Sequence, residues 1–219
     1  MTYLKLKVCG MRNSDNIKQL LALAPDYMGF IFYEKSPRNA AQVLDSELLM
    51  TFPETTLKTG VFVDASIDFI LEKVKKYRLD ALQLHGNETP QYILELKNST
   101  TKYPLQIIKA FGIDENFDFG ILKSYENVTD YFLFDTKGKN HGGNGVKFNW
   151  GLLKNKTITK PYFLSGGLDL EDMEDVLRFH KNNPLLYSLD VNSKFETAPG
   201  MKDIDKLKLL SDKIAESNS

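Results

Sequence analysis

The chain has 219 residues, of which 42% are hydrophobic and 26% charged, and its 28 Lys and Arg against 29 Asp and Glu leave a net charge of −1. That balance fits a globular protein with no basic excess for nucleic acid and no charge block for a tail. No apolar run approaches the ~20 residues that span a bilayer, the opening "MTYLKLKVCG" lacks the apolar core of a signal peptide, and a single cysteine excludes an internal disulfide framework and fits a reducing, cytoplasmic setting.

Short apolar, β-rich runs recur along the chain at "YLKLKV", "YMGFIF", "KTGVFV", "ALQLH", "LQIIKAF", "YFLFD", "PYFLSG" and "LYSLDV". Segments with helical spacing lie between them. Ser14 is the expected cap of "DNIKQLLALA", and Ser66 caps "IDFILEKVKKY", where Ile67, Ile70, Leu71 and Val74 form one apolar stripe. Thr89 with Pro90 opens "QYILELK", Asp169 precedes "LEDMEDVLRF", and "KDIDKLKLLSDKIAES" closes the chain. About eight strand–helix units, spaced by about 27 residues, predict a parallel sheet closed into a single (β/α)8 TIM barrel, one domain over residues 1–219. An open doubly wound sheet is the alternative, but "CGMRNS" after the first strand is not its Gly-rich fingerprint.

Active sites of such barrels sit at the C-terminal strand ends. Here those ends carry Cys9, then Arg38 in "EKSPRN", Gln83 and His85 on one face of strand four, Lys109 in strand five, Asp135 after strand six, and Asp190, Asn192 and Ser193 after strand eight. Each has a plain structural role open to it: Cys9 as a small core residue, Asp135 as a cap, His85 as a donor to backbone, Arg38 as a solvated loop residue. Their gathering at one mouth favours chemistry. Two glycine clusters, Gly142 to Gly145 and Gly166–Gly167, add backbone N–H groups able to approach an anion at the ends of strands six and seven, so a sugar phosphate is the expected ligand.

The motifs "KVCGMR", "SPR", "GVFVD", "LQLHGNE", "IIKAF", "FDT" with "GGNG" and "FNW", "LSGGL", and "LDVNSKFET" with "PGMKD" follow in the order seen in phosphoribosylanthranilate isomerases, which the chain resembles nearly end to end. The resemblance implies a cofactor-independent, metal-free Amadori rearrangement of N-(5-phosphoribosyl)anthranilate in tryptophan biosynthesis. It implies Cys9 as general base, Asp135 as general acid, Arg38 on the anthranilate carboxylate and Asp190 on the sugar. Gln83 and His85 join the substrate site, and Gly143, Asn144, Gly145, Gly166, Gly167 and Ser193 hold the phosphate. The expected partner is this phosphorylated small molecule, not nucleic acid or a membrane, with the chain acting as a monomer or homodimer. A cation beside Cys9 would bring its thiol toward neutrality, and Lys7, two residues earlier on the same face, is the candidate unless it pairs with a barrel Asp.

The chain departs from the family pattern in three places. Asn144 replaces a Thr, Asp64 stands where Asn is common, and Asn192-Ser193-Lys194-Phe195-Glu196 lacks the usual glycine. Other phosphosugar enzymes on this fold fit less well: an epimerase needs a metal held by His and Asp, and the parallel isomerase of histidine synthesis uses two Asp without a Cys. A re-purposed, non-catalytic phosphosugar-binding barrel is the alternative from another class.

Overall fold

The computed structural model describes residues 3–136, 150–153 and 156–218. Eight strands run parallel: β1 (Lys5–Cys9), β2 (Tyr27–Ile31), β3 (Leu57–Phe62), β4 (Ala81–Leu84), β5 (Gln106–Ile113), β6 (Tyr131–Thr136), β7 (Tyr162–Leu164) and β8 (Leu186–Val191). Each pairs with the next, and β8 pairs back to β1, so the sheet closes and the open-sheet alternative is excluded. The helices are α1 (Ser14–Leu21), α2 (Ser46–Met50), α3 (Ile67–Tyr77), α4 (Pro90–Ser99), α5 (Leu122–Tyr125), α6 (Met173–Lys181) and α7 (Ile204–Asn218). A short antiparallel hairpin, β9 (Glu196–Ala198) and β10 (Met201–Lys202), stands between β8 and α7.

The caps explain why the helices start where they do. The Ser66 hydroxyl accepts from Phe69 N, the Thr89 hydroxyl accepts from Tyr92 N with Pro90 in the first turn, and Asp169 forms a reciprocal capping box with Asp172. At α1 the cap is Asn13 rather than the expected Ser14. Asn13 holds the extended backbone and accepts from Asn16 N at 3.0 Å, while Ser14 already lies inside the helix. On α3 the buried face is Ile70, Lys73, Val74 and Tyr77, with Ile67 and Leu71 only half-buried.

Alternation along each strand sorts side chains between two environments. Outward residues such as Val8, Phe30, Leu82 and Phe132 pack against the helices in the main core. Inward residues Tyr27, Ala81, Ile108, Ala110, Leu133 and Phe163 fill the barrel. A register shift between Tyr162 and Phe163 skips Tyr187, so its ring joins the barrel floor while Ser188 and Asp190 stay opposite Lys5 and Lys7 of β1. The result is a packed interior with a polar layer at the C-terminal strand ends. Among the described residues no helix is long and apolar enough to cross a membrane.

Candidate active site

Cys9 is the last residue of β1 and points inward opposite Gly29 of β2. A Cβ at Gly29 would lie 2.8 Å from the Cys9 sulfur, so only glycine leaves the thiol its place. Beneath it the buried Lys7 ammonium donates to Asp190 Oδ1 at 2.7 Å. Lys7 therefore pairs with the barrel Asp and still acts on the thiol, through its charge and a side-chain hydrogen bond to Cys9. Burial pushes the Cys9 thiol up; Lys7 and Lys202 pull it down, and Asp190 opposes them, leaving the net direction upward rather than toward neutrality. Lys7 is itself held above its ordinary value: burial works against its charge, but Asp190 and Cys9 more than offset that. Burial pushes the Asp190 carboxyl up, against the pull of Lys7.

Asp135, at the end of β6, is also buried, and its Oδ1 accepts from Thr136 N at 2.8 Å. Its Oδ2 lies 3.5 Å from His85 Nε2. Gln83 Nε2 donates to His85 Nδ1 at 2.8 Å, a pairing that leaves the ring proton on Nε2, the nitrogen facing Asp135. Gln83 Oε1 is buried without a partner among the described residues. Gly166 presses against this group. Its φ is +94°, and a Cβ there would meet the Thr136 backbone N at 2.7 Å and Asp135 Oδ1 at 3.1 Å. Gly167 follows, also in the left-handed region with φ 66°.

A third group sits over the Cys9–Gly10 turn. Arg38 donates through Nε and Nη2 to both oxygens of Glu196, the closest contact being 2.7 Å. Lys202 Nζ donates to the same carboxylate and to Asn192 Oδ1, each at 2.7 Å. Gly10 has φ +85°, and a Cβ on it would come within 2.8 Å of both Arg38 Cδ and Asn192 Oδ1. Glu196 is held below the ordinary carboxylate range: burial works against its charge, but Arg38 and Lys202 prevail. Neither Glu196 nor Lys202 was a sequence candidate, although "NSKFE" ends on the Glu of the family pattern.

Cys9, Gln83, His85, Asp135, Asp190 and Gly166 thus come together at the mouth, with Arg38 at its rim. Ser193 begins a short 3-10 turn, Ser193–Phe195, directly after β8, and is half-buried. Gly143, Asn144 and Gly145 lie outside the described residues. Lys109 does not belong to the mouth. It faces the helix side of β5, where Nζ donates to Glu88 Oε2 at 3.1 Å and to the carbonyls of Leu84, Gly86 and Ala110. Asp64, whose substitution carried no clear meaning in the sequence, ties down the same β4–α4 loop through Asn87.

The mouth therefore offers a thiol and a carboxyl on facing strands, a fixed guanidinium at the rim and glycine-lined turns beyond β7. Residues 6–213 match the sequence profile of the family described as N-(5'phosphoribosyl)anthranilate (PRA) isomerase. A protein of Parabacteroides distasonis named N-(5'-phosphoribosyl)anthranilate isomerase is 44% identical over 209 residues, covering 93% of this chain and 90% of its own length. The phosphoribosyl anthranilate isomerase of Thermotoga maritima superposes with a TM-score of 0.79 at 29% identity, over 97% of this chain and 99% of its own. A phosphoribosyl anthranilate isomerase in complex with reduced 1-(o-carboxyphenylamino)-1-deoxyribulose 5-phosphate superposes with a TM-score of 0.77 at 27% identity, again over 97% and 99%. The chain belongs to the N-(5'-phosphoribosyl)anthranilate isomerase family.

Proposed function

We propose that this barrel isomerises N-(5-phosphoribosyl)anthranilate to 1-(2-carboxyphenylamino)-1-deoxyribulose 5-phosphate, the Amadori step of tryptophan biosynthesis, with Cys9 and Asp135 as base and acid. Asp135 gives a proton to the furanose oxygen as the C1–O bond breaks, leaving an iminium at C1. The iminium makes the C2 hydrogen acidic. Cys9 as thiolate removes that proton, and the enolamine takes up a proton at C1 and releases its hydroxyl proton to become the C2 ketone. C1 is reduced and C2 oxidised within one molecule, so acid and base from the chain supply every proton movement and the reading calls for no cofactor. Each group is typically worth 10²–10⁴-fold.

The remaining residues bind. Glu196 occupies Arg38 Nε and Nη2, which leaves Nη1 to meet the anthranilate carboxylate. Gln83 Oε1, buried and unpartnered among the described residues, suits a sugar hydroxyl, as do Asp190 and His85. Gly166, Gly167 and Ser193 receive the phosphate together with Gly143, Asn144 and Gly145. In this reading residues 1–219 serve one barrel, as a monomer or homodimer, in the cytoplasm, where the single thiol stays reduced.

The observation that carries the reading is that Cys9 and Asp135 stand at the tips of β1 and β6, three strands apart around the barrel, each with a glycine pressed against it where any side chain would collide. NMR of the purified protein with substrate tests it: the C1 methine signal should give way to a C1 methylene beside a ketone, and the chain should restore tryptophan-free growth to an isomerase-deficient strain. A folded chain that does neither would leave the phosphosugar-binding alternative standing.

A further inference from the structure

We propose that Lys202 is a positioning residue for the isomerisation: its ammonium, fixed over the Cys9–Gly10 turn by Asn192 and Glu196, is a second cation, in addition to Lys7, that stabilises the Cys9 thiolate. This rests on the reading of Cys9 as the base.

Lys202 ends the β9–β10 hairpin, and its side chain is fully buried. The hairpin is strapped to the β1 side of the barrel by a two-way amide clasp. Lys202 N donates to Asn16 Oδ1 at 2.7 Å, and Asn16 Nδ2 donates back to Lys202 O at 3.0 Å. Its ammonium donates to Asn192 Oδ1, the atom that packs against Gly10, and to the Asn192 carbonyl at 3.3 Å. Through Asn192 this buried, tightly held charge sits against the turn that follows the one thiol of the chain, and its field acts on that thiol.

Two lysines act on Cys9, and their settings differ. Lys7 is the stronger influence on the sulfur, through its charge and a side-chain hydrogen bond, but it is paired with Asp190, which acts against ionisation of Cys9. The partner of Lys202, Glu196, is shared with Arg38 and with Gly200 N. Burial pushes the Lys202 ammonium down to about 8, with Glu196 and Cys9 holding it up and Arg38 lowering it, so at neutral pH the charge is still present. The groups facing this cluster are Lys7 and Asp190 from the barrel floor side, Asp135 and His85 across the mouth, and Arg38 and Glu196 at the rim. Each of Lys202 and Cys9 favours the charged form of the other.

The single cysteine makes the test direct. Thiolate absorbance near 240 nm, titrated against pH with Cys9→Ala as blank, reads this thiol alone. In Lys202→Met the thiolate midpoint should rise by about one pH unit, the lower end for losing a nearby opposite charge, and the acidic limb of kcat/KM should move by the same amount. Lys202→Arg should hold both near the wild-type position. Lys202→Gln, which keeps a donor for Asn192 and Glu196, carries the same readout if the Met variant does not fold. An unchanged midpoint in a folded neutral variant would overturn the proposal. So would a requirement for a cation at 202 merely to fold, which would make its role structural. A shifted midpoint in a chain with no isomerase activity would uphold the electrostatic role and refute the functional reading instead.

Discussion

The floor and the mouth of this barrel are built from the same strands and do opposite things. At the floor, Tyr27, Tyr131, Phe163 and Tyr187 pack edge-on or stacked, with Tyr131 and Tyr187 ring centroids 4.6 Å apart. Their polar atoms answer one another: Tyr27 OH donates to Gln106 Oε1 at 2.9 Å and lies 3.1 Å from Tyr187 OH. Burial pushes the Tyr27 and Tyr131 phenols up. At the mouth, a few residues along the same strands, the barrel gathers Lys7, Cys9, Asp135, His85 and Asp190, and leaves Gln83 Oε1 unpartnered among the described residues. At the floor the aromatic rings and their hydroxyls largely answer one another. The mouth holds charge and unfilled hydrogen-bonding capacity, which destabilises the empty protein and serves a ligand. Lys7–Asp190 is where the two regimes meet.

Substitutions separate the two regions. The largest effect is expected at Asp135→Asn, which cannot donate the ring-opening proton: kcat should fall by about 10²–10⁴-fold while the unfolding midpoint barely moves. Lys7→Met leaves Asp190 buried and unpaired, and denaturant unfolding should show a loss of about 3–5 kcal/mol. Loss of activity with unchanged stability there would place Lys7 wholly in the chemistry. Arg38→Lys keeps a charge but loses the fork that grips Glu196 and substrate together, so steady-state kinetics should show KM raised about tenfold with kcat nearly kept. A collapsed kcat with normal KM would give Arg38 another role. The smallest effect belongs to the floor: Tyr187→Phe removes one hydrogen bond and should cost about 1 kcal/mol of stability, with kcat and KM intact.

Much of this division was legible in the sequence. The strand cadence and the caps at Ser66, Thr89–Pro90 and Asp169 follow from local pattern, and the structure bears them out. What escaped depends on side-chain parity or on distant contacts. Lys109 sits one residue from the inward-facing Ile108 and Ala110, so counting along β5 would have turned it to the helix side. Arg38 and Glu196 meet across 158 positions of sequence, and no local signal joins them. The need for glycine at 29 and 166 comes from Cys9 and from Asp135–Thr136, neighbours that only the closed barrel supplies. Lys7, the cation the sequence places beside Cys9, does act on it, but its pairing with Asp190 depends on the register of β1 against β8.

The central claim is that Cys9 stands at the strand tip to take a proton, not to fill space. The most direct measurement is kcat/KM against pH for the wild type and for Cys9→Ala, with stability measured alongside. Because burial pushes the thiol up and the base acts as thiolate, wild-type kcat/KM should climb as pH rises through neutrality. Cys9→Ala should lose at least about 10²-fold in kcat and the climb with it, while its stability falls by only about 1 kcal/mol for a small buried side chain. A Cys9→Ala enzyme that is clearly destabilised yet keeps full activity and the same pH profile would contradict the account.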